Sequence, residues 1–296
     1  MLPNSRSAGP AGTDPLSAEL PGHTPGALGR NDSAEPSKAP SWLDKIPGVK
    51  VAWNLDGHTA ISKAAARRFG SSLGTYDPRF VDLDNIDWNV VFRDIEDLFS
   101  GGHWSPEGQR HHFMRAANQT QSEAWREGVR WIFNNTLEAA EILKPRIDCM
   151  NVASERIRSN QKWSSKDLLS CMRTREVERP LGNALHALQD SFAPAHVKRD
   201  ANTLVIREIL YYDSTRLKDF EDKVLPGQTE HESLDETWKG PDGNLSPLGS
   251  AAADASVALF RCLVAAGLAR DPGRDLMTRF QNEVVEKFLK SAVTER

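Results

Sequence analysis

Residues 181–196 read LGNALHALQDSFAPAH and put His186, Asp190 and His196 within eleven positions of a chain that has eight histidines in all. Leu181, Ala184, Leu185 and Leu188 recur at helical spacing. His186 and Asp190, four apart, therefore lie on one face of a helix, one above the other. An imidazole and a carboxylate so placed can grip one divalent ion, since both are good zinc ligands. The bland alternative is a hydrogen-bonded pair on a structural helix. Pro194 is expected to stop the helix, which leaves His196 just beyond it, facing the same cavity from another angle.

Three other stretches offer the same residue types. TEHESLDET holds His231 and Asp235, again four apart, in a loop-like region after Pro226 and Gly227. Alone it reads as a solvated acidic turn; with His186, Asp190 and His196 it begins to describe a site for several ions. AWNLDGHTAIS places Trp53 five residues before His58, and Gly57 permits close backbone approach there. RDIEDLFSGGHWSPEGQRHHFMRA supplies Asp94, Glu96 and Asp97, then a Gly-rich turn with His103, then His111, His112 and Phe113. Adjacent histidines point in different directions, so one of His111 and His112 is expected to be a ligand, and His103 is expected on a loop surface.

In chain order these pieces are W-x4-H, an aspartate, HF, H-x3-D-x5-H and H-x3-D. That order resembles the zinc-dependent phospholipase C / S1-P1 nuclease superfamily over most of residues 53 to 240. The central segment is similar to the LGxxxHxxxDxxxPxH of bacterial phospholipases C. The resemblance implies an all-α, single multi-helix domain of that type and two to three zinc ions. Asp97, His112, His186 and Asp190 would hold the first ion. His196, His231 and Asp235 would hold the second. Trp53 and His58, with Asp190 as a bridge, would hold the third. Asp97 would also orient or deprotonate the attacking water, with Asp94 in reserve for its place. In the family the tryptophan is the first residue of the mature protein, whereas here 52 residues precede Trp53. Either that tail is removed to expose Trp53, or the third site is altered or empty.

The implied chemistry is phosphodiester hydrolysis. One version is a phospholipase C, acting on phospholipid at a membrane surface to give diacylglycerol and a phosphorylated head group. Phe99, Trp104, Phe192 and Trp238 would then line an apolar mouth, with ordinary core packing the alternative for each. The other version is a single-strand nuclease of the same fold, in which aromatics stack on bases. The LGNALHALQD helix leans toward the phospholipases; W-x4-H and the closing H-x3-D lean toward the nucleases. A third reading is a non-catalytic interaction or toxin-associated domain that keeps zinc for stability.

The elements that must position these residues are mostly helical by pattern. Residues 1–45 are rich in Pro, Gly, Ala and Ser and lack periodicity, so a disordered tail is expected there, a pro-segment or a delivery segment. Residues 46–296 are expected to form the helical domain. GHTAISKAAARRFG starts at a capping-type Thr59 and ends at Gly70. QTQSEAWREGVRWIFNNTLEAAEILK is a long helix, with apolar positions such as Val129, Ile132, Phe133 and Leu137. SSKDLLSCMRTREVERPLGNALHALQDSF gives one or two helices broken near Pro180. TLVIREIL begins β-like, and two further helices close the chain.

Hydrophobic residues make up 39 % of the 296, enough for a sizeable core. The net charge of -4 argues against a broad nucleic-acid-binding surface and says nothing about a cleft. No run of about 18 or more purely apolar residues appears, so no transmembrane segment is expected. The N-terminus lacks a signal-peptide pattern. This fits a cytoplasmic protein or one exported by a specialised secretion system. Cys149, Cys171 and Cys262 are odd in number and form no CxxC, so neither a disulfide framework nor a thiolate metal site is expected.

Overall fold

The first helix, α1, spans Leu55–Ser72. It starts four residues before Thr59, which therefore lies inside the helix and does not cap it, and it runs two residues past Gly70. Ile61, Ala65 and Phe69 form its buried stripe, the i, i+4, i+8 pattern of an amphipathic helix. The structure, a computed structural model, describes residues 55–72, 89–90, 106–116, 118–159, 177–210 and 236–293. These all fall in one compact unit, Lys38–Arg296. The expected tail, residues 1–45, lies outside the described residues.

A short helix α2, Pro106–Gln109, passes into a 3-10 turn at Arg110–His112. The long helix α3, Gln121–Arg158, follows. Thr120 and Glu123 form a capping box at its start. The Thr120 hydroxyl accepts from the Glu123 N–H at 3.2 Å, and the Glu123 carboxylate accepts from the Thr120 N–H at 2.9 Å. Helix α3 continues through Pro145 well beyond the expected end.

Helix α4, Glu178–Asp190, carries the central motif. Pro180 sits in the first turn of α4, where a backbone N–H has no intrahelical partner to lose; residues 160–176, on the other side of the expected break, lie outside the described residues. The C-terminal end is corrected: α4 stops at Asp190, four residues before Pro194, and Ser191–His196 form a turn. Helix α5, Pro247–Leu268, begins with Pro247 and an N-cap at Ser246, whose side chain accepts from the Gly249 N–H. Helix α6, Pro272–Phe280, is capped in the same way by Asp271, and the chain then winds as a π-helix over Gln281–Leu289.

Helices α1, α3, α4 and α6 pack around α5. By length and composition α5 could cross a membrane, but 78 % of that stretch is buried inside the protein. A helix apolar on all sides is what the centre of a globular core demands.

The expectation of an all-α chain needs one amendment among the described residues. Strands β1, Val197–Arg199, and β2, Ile206–Ile209, form an antiparallel hairpin with a bulge between Lys198 and Arg199. The β-like start read from TLVIREIL is β2. The cysteine expectation is corrected too: Cys149, in α3, is disulfide-bonded. An odd count forbids complete pairing but permits one bond, and Cys262 remains a buried free thiol.

Candidate metal centre

Four separate pieces of backbone deliver side chains to one buried point. His58 comes from the first turn of α1 and His112 from the end of the 3-10 turn. His186 and Asp190 come from α4, and His196 from the turn that follows. Their relative exposures are 0 %, 1 %, 0 %, 1 % and 3 %. Burying this many polar rings is costly unless each meets a partner or an ion.

Local sequence sets each approach. Phe113 adopts a left-handed φ of 50° directly after His112, a conformation that costs a non-glycine residue about 1 kcal/mol. Its ring is buried against α3 at Gly128, where a Cβ would come within 2.7 Å of the ring. This contact turns the chain sharply and leaves His112 facing α4. Gly182 lets α4 press on Asn89: a Cβ there would sit 2.6 Å from the Asn89 Cβ. Arg199 locks the turn after Asp190. Its guanidinium donates to the carbonyls of Ser191, Leu204 and Phe288 at 2.7, 2.6 and 2.7 Å. It also stacks 4.0 Å from the Phe192 ring centroid.

Asp190 is the hub. Its Oδ2 lies 3.1 Å from His112 Nδ1, 3.1 Å from His186 Nε2 and 3.6 Å from His196 Nδ1. Its Oδ1 lies 3.3 Å from His58 Nε2 and makes no hydrogen bond among the described residues. Burial pushes the Asp190 carboxyl up. The charges of His186 and His196 and hydrogen bonds from His112 and His186 outweigh that and hold it well below the usual carboxylate range. Burial holds His186 down to about 3, against the pull of Asp190. Near neutral pH the centre therefore sets an anionic Asp190 carboxylate beside a neutral His186, the protonation state that metal ligation requires of both.

The donor set fits a metal on two observations. His112 Nδ1, His186 Nε2 and Asp190 Oδ2 form a triangle with sides of 2.9, 3.1 and 3.1 Å. Bonds of 2.0–2.1 Å in a tetrahedral site would set ligand atoms about 3.3 Å apart, so this triangle need open only slightly to become the face of such a site. Separately, His58, His186 and Asp190 each offer a ligand atom, all within 4.8 Å of one another. This buried group can hold a metal ion.

Of the residues singled out in the sequence, His58, His112, His186, Asp190 and His196 are brought together. Trp53, Asp94, Glu96, Asp97, Phe99, His103, Trp104, His231 and Asp235 lie outside the described residues. His111 is buried but stands 4.2 Å from the Trp131 ring, so only His112 of the adjacent pair joins the cluster. Phe192 and Trp238 line a small recess with Ile61, Gln189 and Pro194. The Trp238 indole lies flat against Gly57, where a Cβ would be 2.9 Å away.

The sequence reading passed over Gln189, Ser62 and Ser256, all fully or nearly fully buried around His58. Their signal was available in part: Gln189 stands three residues after His186, on the same side of the helix.

Comparison with protein-family models, with curated proteins and with solved structures yields no match.

Proposed function

We propose that this chain is a zinc-dependent phosphoric diester hydrolase of the phospholipase C / S1-P1 nuclease type, acting as a phospholipase C. The observation that carries the reading is the division of labour at Asp190. One oxygen faces His58, and the other faces His112, His186 and His196. A carboxylate so placed suits a bridge between two ions, the role that the motif order implies for this residue. Imidazoles and carboxylates are ligands that zinc accepts, and the motif order is what points to zinc.

In this reading His112, His186 and Asp190, with Asp97, hold one zinc. His196, with His231 and Asp235, holds a second. His58, with Trp53 and the far oxygen of Asp190, holds a third. When bound, zinc lowers the pKa of water toward about 7 and neutralises phosphate charge. The chain's own residues do the rest. Asp190 stays ionised and His186 stays neutral, so neither must lose a proton before it binds. Asp97 accepts the proton of the attacking water. Trp238, half-buried against Gly57 beside His58, offers apolar surface next to the centre, whereas Phe192 is buried.

The test is hydrolysis by the zinc-loaded protein. Phosphocholine release from phosphatidylcholine vesicles supports the phospholipase. Degradation of single-stranded DNA with intact vesicles assigns the nuclease. Zinc binding that raises stability without either hydrolysis assigns a structural role and sinks the enzymatic reading.

A further inference from the structure

We propose that Gln189 is a positioning residue that fixes the tautomer of His58, presenting Nε2 of that ring to Asp190 as a lone pair. This rests on the reading of His58 as a metal ligand, but it concerns a residue outside the ligand set. A chain of hydrogen bonds runs inward from α5 to His58.

The Ser256 hydroxyl donates to the Ala252 carbonyl at 2.8 Å, one turn back in α5. Its only proton is thereby committed, so whatever else faces its oxygen must be a donor. The side-chain amide of Gln189 faces it at 3.4 Å and also faces the Ser62 oxygen at 3.1 Å. The amide must therefore turn its NH2 toward the two hydroxyls. That leaves Oε1, an acceptor only, at 2.7 Å from His58 Nδ1. Nδ1 must carry the proton. In a neutral imidazole Nε2 is then an acceptor, and it lies 3.3 Å from the ionised Asp190 Oδ1. Two acceptors at that distance repel each other unless a cation sits against both. The network thus builds a site that calls for positive charge, and does so from Gln189, Ser62 and Ser256, each 2 % exposed or less. An amide here does what a carboxylate or carbonyl does behind many metal-ligating histidines: it orients the ring and selects the nitrogen that binds.

The test uses the full chain and two readouts, nitrogen-15 NMR of the histidine rings at mildly alkaline pH and zinc affinity by chelator competition. In the metal-free wild type, His58 is expected as the Nδ1-protonated tautomer. An Nε2-protonated or doubly protonated ring overturns the proposal without any variant. Gln189→Leu is expected to lose that tautomer preference and to weaken zinc binding about 10- to 100-fold, the usual effect of removing such a support. Gln189→Glu keeps an acceptor toward Nδ1 and is expected to keep Nδ1 protonated, with Leu and Glu thereby separated at that nitrogen. Gln189→Leu with wild-type tautomer and wild-type affinity overturns the inference. A wild type that binds no zinc yet shows the expected tautomer overturns the proposed function and leaves the role of Gln189 in orienting His58 intact.

Discussion

Asp190→Asn changes one buried oxygen for an amide of the same shape and removes the only anion that the described residues bring to the histidine cluster. Four imidazoles stand within 3.6 Å of that carboxylate, so the loss reaches every ion the centre holds. Removing a supporting group behind a ligand typically costs 10- to 100-fold in affinity, and a ligand itself belongs at or beyond the upper end, about 100-fold. Zinc that binds only the folded state stabilises it by about 4 kcal/mol when free zinc is about 1,000 times Kd. At the same zinc level a 100-fold weaker variant keeps about 1.4 kcal/mol. For a domain of this size each kcal/mol moves Tm by about 2–4 °C. Zinc should therefore raise the wild-type Tm by about 12 °C and that of Asp190→Asn by about 4 °C. Scanning calorimetry or fluorescence-monitored melting with and without zinc reads both. Losing the ionised carboxylate also lowers the metal-free melt, so each protein is compared with its own metal-free state and the zinc-induced shift is the quantity read. Equal zinc-induced shifts in the two proteins would refute the assignment of Asp190 as a ligand and leave it a structural hydrogen-bond hub.

Arg199→Met should destabilise the fold by about 3–5 kcal/mol in urea unfolding, since three charge-assisted hydrogen bonds to carbonyls vanish together. A loss below about 1 kcal/mol would show that the turn after α4 is held by other means. Gly182→Ala should cost about 1–3 kcal/mol and shift α4, because the new methyl would meet both the side chain and the backbone of Asn89; a variant as stable as wild type would show that this contact is loose. Acid should unfold the metal-free protein early. His186 is held down to about 3 from 6.5, so a proton binds the unfolded chain in preference, and stability present above about pH 6.5 is lost as pH falls toward 3. The lowered Asp190 carboxyl acts in the same direction, its contribution vanishing as it too is protonated. The His186 shift alone corresponds to at most about 5 kcal/mol. Urea midpoints unchanged between pH 7 and pH 5 would count against a neutral, buried His186.

Much of the centre was legible because helical periodicity converts spacing into direction. His186 and Asp190 needed only the i, i+4 rule. His58, His112 and His196 needed the motif order, which carries tertiary information that no local pattern holds. A local signal misled at Pro194, which looks like the helix stop although α4 has already ended four residues earlier. Gln189 was hidden in plain view: a glutamine in a helix reads as a surface position until Ser62 and Ser256 are brought against it from α1 and α5. Arg199 was invisible because its partners are backbone carbonyls, which no side-chain pattern marks, and one of them, Phe288, comes from 89 residues away. The bond at Cys149 was missed because counting cysteines says whether all can pair, not whether two do.

The central claim is that this histidine cluster is a zinc site, and X-ray absorption at the zinc edge on the purified, metal-loaded chain tests it most directly. The expected result is two to three zinc ions per chain, each in a shell of nitrogen and oxygen at about 2.0–2.2 Å with no sulfur, the count falling in Asp190→Asn. A protein that retains no zinc after gel filtration, or zinc bound through sulfur, would contradict the account.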